Sequence, residues 1–196
     1  MKVLVLRACR PNMQSPSSDA RGFTWPEAGE VAAPDWDPYP RCGGGLHGWL
    51  WGEGKVHGNI PDDVINDPKS RWLVVEVAKS SIVELPGKVK FPRGEVVFVG
   101  DREAAVAYLV ERAPSGKSIA FNTATAGDRG TATAGYGGTA TAGESGTIAI
   151  RWYDPKCDKY RLAVAEVGEQ GIEPATAYFL EIVDGAPQWR RKESRS

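Results

Sequence analysis

Two histidines and three cysteines are the side chains of this sequence that could hold a soft metal ion. Four residues separate Cys42 from His47, and Cys9, Cys157 or His57 could complete a set. Structural zinc sites use closely spaced pairs of such ligands. Because the chain has no Cys-x-x-Cys pair, we predict no metal and no cofactor, with a buried Cys42 and a hydrogen-bonded His47 instead.

A catalytic pair is the second chemical possibility. His47 and Glu95 could act together as acid and base. The run Gly43-Gly44-Gly45-Leu46-His47-Gly48-Trp49 is also loosely similar to ADP-ribosyltransferases, which combine a glycine-rich strand entry, an aromatic cleft and a late glutamate. The alternative function is therefore an ADP-ribosyltransferase-like or other nucleotide-binding enzyme with a cleft near His47, Trp49 and Glu95.

The triplet Gly116-Lys117-Ser118 invites comparison with a nucleotide phosphate loop. That motif needs a glycine five residues before Gly116, where Glu111 stands. It also needs a strand before it and a helix after it, whereas here a helix precedes and β structure follows. We therefore exclude a phosphate loop.

Five of the seven tryptophans lie within the first 72 residues. Tryptophan is enriched at binding hot spots but is also buried on average, so both interpretations stay open and the core is favoured. Arg93 is favoured as part of a solvated strand face. The candidate binding set joins these aromatic residues to nearby polar side chains: Trp25, Trp36, Cys42, His47, Trp49, Trp51, Arg93 and Glu95.

Short apolar runs predict an α+β N-terminal domain over residues 1–114. One clear helix is expected from Asp101 to Arg112, because Asp101 is a good N-cap and Pro114 stops the helix. The expected strands share alternating or continuous apolar patterns and cover residues 2–8, 46–51, 72–77, 81–85, 88–91 and 95–100.

Residues 123–146 are three copies of an octad that begins Thr-Ala-Thr-Ala. Alternation with period two puts threonine and alanine on opposite sides of a strand, and we favour alanine inside because threonine tolerates water. Gly127, Gly135 and Gly143 are expected to supply positive φ at the corners. The pattern predicts a short β-solenoid over residues 115–150, with residues 115–122 as a degenerate first unit.

The variable octad positions are expected to line one edge of this solenoid. The candidate corner surface consists of Asp128, Arg129, Tyr136 and Glu144. Residues 151–196 are expected to form an antiparallel β cap followed by a basic tail that frays from Gln188, since a short stack needs both ends covered. The predicted fold class is mainly β.

Charge and cysteine content restrict location and partners. The net charge of −1 gives no broad attraction to nucleic acid or to a membrane, so we predict neither partner. Three cysteines are an odd and sparse set, which favours a reducing compartment. No stretch approaches a membrane span. We therefore expect a cytoplasmic protein of a bacterial host.

The motifs GFTWP, CGGGLHGWLWGEG, KVKFPRGEVVFVGD, IRWYD and VGEQGIEP accompany the GTATAG octads. In this combination the chain resembles an uncharacterised bacterial and phage-associated family with a small N-terminal domain of unknown function and variable numbers of GTATAG repeats. The resemblance implies a soluble, intracellular protein, often borne by phages or mobile elements, without an assigned activity.

These observations favour a non-enzymatic interaction protein over an enzyme. The N-terminal domain would bind a protein partner, and the solenoid would act as a spacer or as a self-association surface of a homo-oligomer. One concrete version is a phage-encoded protein that acts on a host defence component.

Overall fold

The computed structural model describes residues 1–16, 22–56 and 59–193. The chain divides into two compact units, Met1–Lys117 and Ser118–Ser196. Both units are built mainly from β-strands in open sheets, which agrees with the predicted fold class. The second unit takes in the octads together with the residues that follow them.

One seven-stranded sheet forms the frame of the first unit. Its order is β2-β7-β4-β1-β3-β6-β5, and neighbouring strands run antiparallel. The elements of this unit, in chain order, are β1 (Lys2–Cys9), β2 (Gly29–Ala32), β3 (Leu46–Leu50), α1 (Asp62–Ile65), β4 (Arg71–Ala78), a 3-10 turn (Lys79–Ser81), β5 (Val83–Leu85), β6 (Lys88–Phe91), β7 (Arg93–Gly100) and α2 (Arg102–Val110).

Strands β1 and β4 lie in the middle of this sheet and carry most of its core. They pair along their whole length, from Lys2 opposite Ala78 to Cys9 opposite Arg71. Both are continuous apolar runs that are buried on both faces, as is typical of central strands. Arg7 is the charged residue that interrupts the apolar run of β1.

Helix α2 begins where the sequence predicts. The Asp101 side chain accepts a hydrogen bond from the backbone N–H of Ala104 at 2.8 Å, as an N-cap does. The helix contacts β4, β7 and β1, and its buried residues are Ala105, Val106 and Leu109. It therefore covers part of the central sheet.

The second unit contains two smaller sheets, with orders β14-β13-β10-β8 and β12-β11-β9. Both hold strands from the octads and strands from the C-terminal residues. The strands, in chain order, are β8 (Thr123–Thr125), β9 (Thr131–Ala134), β10 (Thr139–Thr141), β11 (Thr147–Asp154), β12 (Lys159–Glu166), β13 (Tyr178–Val183) and β14 (Ala186–Arg191).

Alternate octads pair with each other, so the structural repeat is twice the sequence repeat. Strands β8 and β10 are parallel, with Thr139 opposite Thr123, and β9 and β11 are parallel, with Thr147 opposite Thr131. Adjacent octads therefore lie in different sheets, and two octads complete one circuit of the chain. This follows because each octad supplies one short strand and one corner.

Alanine takes the inner side of these circuits, in agreement with the sequence analysis. The four alanines of the second and third octads are at most 2% exposed. Thr131 and Thr133 are exposed, whereas in the third octad Thr139 is 8% exposed and Thr141 is partly buried. The four alanines form a core with Ile148, Ile150 and Tyr178. Small inner side chains let the two sheets approach closely.

The predicted role of Gly127, Gly135 and Gly143 is wrong, because none of them adopts a positive φ. Close backbone contact explains the glycine at position 135, where a Cβ would lie 2.1 Å from the carbonyl oxygen of Ile119. The left-handed residues are the seventh of each octad and their counterpart eight residues earlier: Phe121 (62°), Arg129 (55°), Gly137 (67°) and Ser145 (53°). This match supports residues 115–122 as a degenerate unit.

The residues after the octads form two antiparallel hairpins, β11–β12 and β13–β14. Asp184 and Gly185 connect the second hairpin with φ values of 52° and 75°, which fit a two-residue type I′ turn. The prediction that the tail frays from Gln188 is wrong, because β14 pairs with β13 as far as Arg191. Arg190 and Arg191 therefore belong to a paired strand, and both are exposed.

We predict that Gly135→Ala destabilises the second unit by about 2–3 kcal/mol, because the new methyl group would overlap the backbone of Ile119 and Ala120. Urea unfolding of the full chain, followed by tryptophan fluorescence and circular dichroism, measures the change. Gly127→Ala is the matched control. It occupies the same octad position, and a Cβ there meets nothing within 4 Å. Equal losses in the two variants would contradict the role of close packing.

Candidate functional site

A cavity of about 450 Å³ lies in the first unit, where β1 and β3 meet the loops that precede β3. Among the described residues, its lining combines a cation, an exposed carboxylate, the rings of a phenylalanine and a tryptophan, and a glycine-rich backbone segment. The residues that define it here are Arg7, Ser15, Phe23, Trp25, Gly44 and His47. The cavity has the size of small-molecule sites in proteins.

Arg7 brings a positive charge to this cavity. Side chains alternate along β1, so Arg7 shares the face of Val5 and Cys9, which belong to the hydrophobic core. Its Nη1 donates to the His47 carbonyl oxygen at 3.3 Å, and its Nε is buried without a hydrogen-bond partner among the described residues. Burial lowers the pKa of Arg7, but a guanidinium stays charged at neutral pH.

Trp25 forms an aromatic wall beside this cation. It is 2% exposed, and its indole Nε1 donates to Ser15 Oγ at 2.9 Å. The Arg7 guanidinium carbon lies 5.7 Å from the Trp25 ring centroid, which is a cation–π distance. Phe23 meets the Trp25 ring edge-on at 5.4 Å. The indole is therefore fixed in place on several sides.

A buried lysine holds the glycine-rich segment that forms another part of the cavity lining. Lys90 is completely buried, and its ammonium group donates to the carbonyl oxygens of Arg41 at 2.9 Å and Gly43 at 3.2 Å. The backbone N–H of Gly45 donates to Asp35 Oδ1 at 3.1 Å. These bonds fix a segment whose three glycines all have positive φ.

His47 stays neutral next to these cations. Burial, followed by the positive charges of Lys88, Arg7 and Lys90, lowers the pKa of His47 to about 4. Leu6 pairs with Trp49 across β1 and β3, so alternation puts the imidazole on the face of Trp49 rather than on that of Arg7. The imidazole Nε2 is buried without a partner in the described part of the chain.

The structure distributes the four predicted tryptophans over different surroundings. Trp25 and Trp49 are both 2% exposed and belong to the interior. Trp36 is partly buried, and the ammonium group of Lys90 lies 5.7 Å from its ring centroid. Trp51 is also partly buried and has a left-handed backbone with φ of 54°. Only Trp25 among the four lines the cavity.

Cys42 is exposed, which corrects the prediction of a buried cysteine. Its sulfur accepts a hydrogen bond from the Lys88 ammonium group at 3.3 Å. Within residues 1–16, 22–56 and 59–193, no group of three or more histidine, cysteine, aspartate or glutamate side chains could hold a metal ion. His57 lies outside the described residues.

The structure does not bring His47 and Glu95 together. Glu95 and Arg93 are exposed on β7, while His47 lies on β3. Two strands, β4 and β1, separate β7 from β3 in the sheet. Three strand spacings amount to about 14 Å, which is beyond the reach of an acid–base pair. The geometry therefore gives no support to the predicted enzymatic cleft.

The predicted corner residues of the octads occupy two different corners. Asp128 Oδ1 accepts from the Glu144 N–H at 3.0 Å, and the Arg129 N–H donates to the Glu144 carbonyl oxygen at 2.8 Å. Tyr136 contacts Tyr160 instead, with ring centroids 5.8 Å apart. The pairing of alternate octads separates the two groups, so they do not form the single predicted edge.

The sequence analysis does not single out Arg7 or Phe23, although both line the cavity. A signal was present for Arg7, which is the one charged residue between Val3 and Cys9 in an otherwise apolar strand. Buried charges of this kind are rare without a partner. No comparable signal marks Phe23, because an aromatic residue in a loop is ordinary.

The sequence model of a domain of unknown function, DUF7666, matches residues 3–107, which is more than half of the chain. The chain belongs to the DUF7666 family. The DUF7666 domain coincides with the first unit and contains every residue of the cavity described above. No solved structure matches the chain.

The DUF7666 protein is also similar to ice nucleation proteins. The match to one from Pseudomonas syringae pv. syringae is 40% identical over 131 residues and covers 63% of this chain but 10% of the relative. A relative from Xanthomonas campestris pv. translucens is 37% identical over 115 residues, covering 58% and 7%. Ice nucleation protein InaU of Pantoea ananas is 36% identical over 111 residues, covering 56% and 10%.

The chain thus spans about a tenth of the length of the curated relatives it matches. A match over 63% of the chain is longer than the second unit, so it extends into the first unit as well. These relatives give no support to a phage origin or to action on host defence.

The predicted cytoplasmic location is wrong, because the ice nucleation relatives point away from it. The cysteine count misled the prediction. All three cysteines are free, and the strands within each unit pair without a disulfide. Across the described ranges, no helix has the length and apolar character to cross a membrane.

We predict that His47 makes the stability of the DUF7666 domain depend on pH. The unfolded histidine takes up a proton near pH 6.5, while the folded one stays neutral down to about pH 4. Stability therefore falls as the pH falls through this window, by about 1–2 kcal/mol for a partly exposed site. Urea unfolding at several pH values measures this effect.

The matched variant is His47→Gln, which keeps a polar side chain of similar size without a titrating group. Its stability should fall less than that of the wild type between about pH 6.5 and pH 4. The difference between the two proteins isolates His47 from the carboxylates, which titrate in both. Identical pH profiles would contradict the assignment.

Proposed function

We propose that this DUF7666 protein is a non-enzymatic interaction protein whose second unit is a short β-solenoid with a threonine-bearing surface for ordered water or ice. The observation that carries the proposal is the register of alternate octads, in which threonine lies beside threonine and alanine beside alanine along β8 and β10. The similarity to proteins named ice nucleation protein supports the same surface.

The threonines are arranged regularly. Thr123 lies beside Thr139 and Thr125 beside Thr141, in strands about 4.8 Å apart. Thr123 and Thr125 are exposed on this sheet, beside Thr139, which is 8% exposed, and the partly buried Thr141. Thr131 and Thr133 are exposed on the other sheet of the unit. A rigid sheet that repeats one hydroxyl and one methyl group at fixed spacing can hold water molecules in fixed positions. The array is small, so we propose binding to ice rather than efficient nucleation.

Partition into growing ice tests this proposal. When a dilute solution of the full chain freezes slowly, the wild-type protein should enter the ice, because the threonine surface adsorbs to it. The variant that combines Thr123→Lys and Thr125→Lys should be excluded from the ice, since two long charged side chains remove the flat array.

Gln170→Lys is the control for this experiment. Gln170 is exposed in a turn outside the octads, so its replacement adds a lysine without touching the threonines. It should enter the ice like the wild type. Exclusion of the wild-type protein, or equal entry of the threonine variant, would refute the proposed surface.

Self-association is a second proposed role of the same unit. Strand β12 is an edge strand of its sheet. Leu162 and Val164 on this strand are 51% and 54% exposed, on the same side of the strand. An edge strand with exposed apolar residues is a template for pairing with another strand, and antiparallel pairing of two β12 strands would be symmetric.

Light scattering over a range of concentrations tests this second role. The wild-type chain should form a dimer, and Leu162→Lys combined with Val164→Lys should be monomeric, because lysine on an edge opposes pairing. Val110→Lys is the control, since Val110 is also 45% exposed but lies on helix α2. A monomeric wild type at high concentration would exclude this role.

A further inference from the structure

We propose that the cavity of the first unit binds a small carboxylate with a planar apolar body, in which Arg7 pairs with the carboxylate and Trp25 and Phe23 contact the ring. This site is independent of the octad surface and adds a ligand to the interaction role proposed above.

Arg7 carries a charge that is unbalanced among the described residues. None of its nitrogens forms an ion pair within residues 1–16, 22–56 and 59–193. Cys9 is close by but does not balance the charge, because burial raises the pKa of its thiol to about 11. Removing a cation from water without a partner is costly, so a bound anion would stabilise this arrangement.

The geometry of the Arg7 guanidinium suits a carboxylate. Nη1 is engaged by the His47 carbonyl oxygen, whereas the buried Nε has no acceptor in the described ranges. Nε and Nη2 lie on one edge of a guanidinium, and this edge matches the two oxygens of a carboxylate. A carboxylate is favoured over a phosphate dianion because Arg7 supplies the one guanidinium among the described lining residues.

Other charged groups lie around the cavity. Lys88, Arg7 and Lys90 all act on His47 as nearby positive charges, although neither lysine lines the cavity. Asp35 is the acidic residue among the described residues of the lining, but it is exposed and already accepts the Gly45 N–H. Arg7 is therefore the partly buried charge among the described lining residues, and a negative ligand fits beside it.

Trp25 and Phe23 form the aromatic wall of the cavity. Trp25 and Phe23 meet edge to face, and the Ser15 hydroxyl fixes the indole nitrogen. Ordered rings of this kind contact flat apolar groups at little entropic cost. A cavity of about 450 Å³ is large enough for a benzoate-sized molecule with room for substituents.

Titration of the full chain with benzoate, followed by nitrogen–proton NMR, tests the site directly. Benzoate should shift the Nε–H signal of Arg7, the indole N–H signal of Trp25 and the amide signals of residues 43–45. Benzamide has the ring without the charge, and acetate has the charge without the ring. Both should bind about tenfold more weakly or worse, which is the effect of one charge-assisted hydrogen-bonded contact.

Variants separate the ionic contact from general effects of charge. Arg7→Gln should weaken benzoate binding about tenfold or more, and Arg7→Lys should retain part of it, because lysine keeps the charge but not the fork. Arg10→Gln is the control, since Arg10 pairs with Asp63 at the surface and does not line the cavity. It should bind benzoate like the wild type.

The wild-type spectra decide the question even if an Arg7 variant fails to fold. Benzoate shifts confined to Arg7, Trp25 and the glycine segment support the site. Shifts elsewhere only, equal binding of benzamide, or unchanged affinity in a folded Arg7→Gln protein would each overturn the proposal. The octad surface would be unaffected by that outcome, because it is tested by ice partition.

Discussion

Close approach of one backbone to another at glycine is the constraint on which both units depend. A Cβ at Gly48 would lie 2.6 Å from the carbonyl oxygen of Leu6, where β3 lies against β1. A Cβ at Gly135 would lie 2.1 Å from that of Ile119, where consecutive circuits of the octads meet. Strands β1 and β3 carry the cavity, and the circuits carry the threonines. Each proposed surface therefore rests on a contact that only glycine permits.

The two units present different kinds of side chains. The strands of the octads repeat small, uncharged side chains, so the proposed ice-binding surface would act by regular spacing. The DUF7666 domain concentrates different groups around one cavity, where a partly buried arginine, an indole and a lysine-held glycine segment meet. Regular spacing suits an extended, ordered partner. A cation without a counter-ion among the described residues suits a small anion instead.

Local patterns in the sequence predict the main helix and most strands well, but they do not predict which strands lie side by side. The apolar run of β1, the N-cap at Asp101 and the alternation of threonine and alanine each act over a few residues, and the structure bears them out. Strand β2 (Gly29–Ala32) is missed because it is short and only one of its residues is buried. The separation of His47 from Glu95 depends on strand order, which joins segments distant in sequence.

The sequence by itself determined that the chain is mainly β, where its one substantial helix begins, and that alanine faces inward in the octads. Hydrophobic periodicity and capping act within a few residues and are legible without the fold. Only the tertiary structure decided that alternate octads pair and that Arg7, rather than His47 with Glu95, meets the aromatic wall. Register and strand order decide those contacts, because they depend on how distant backbones fit against each other.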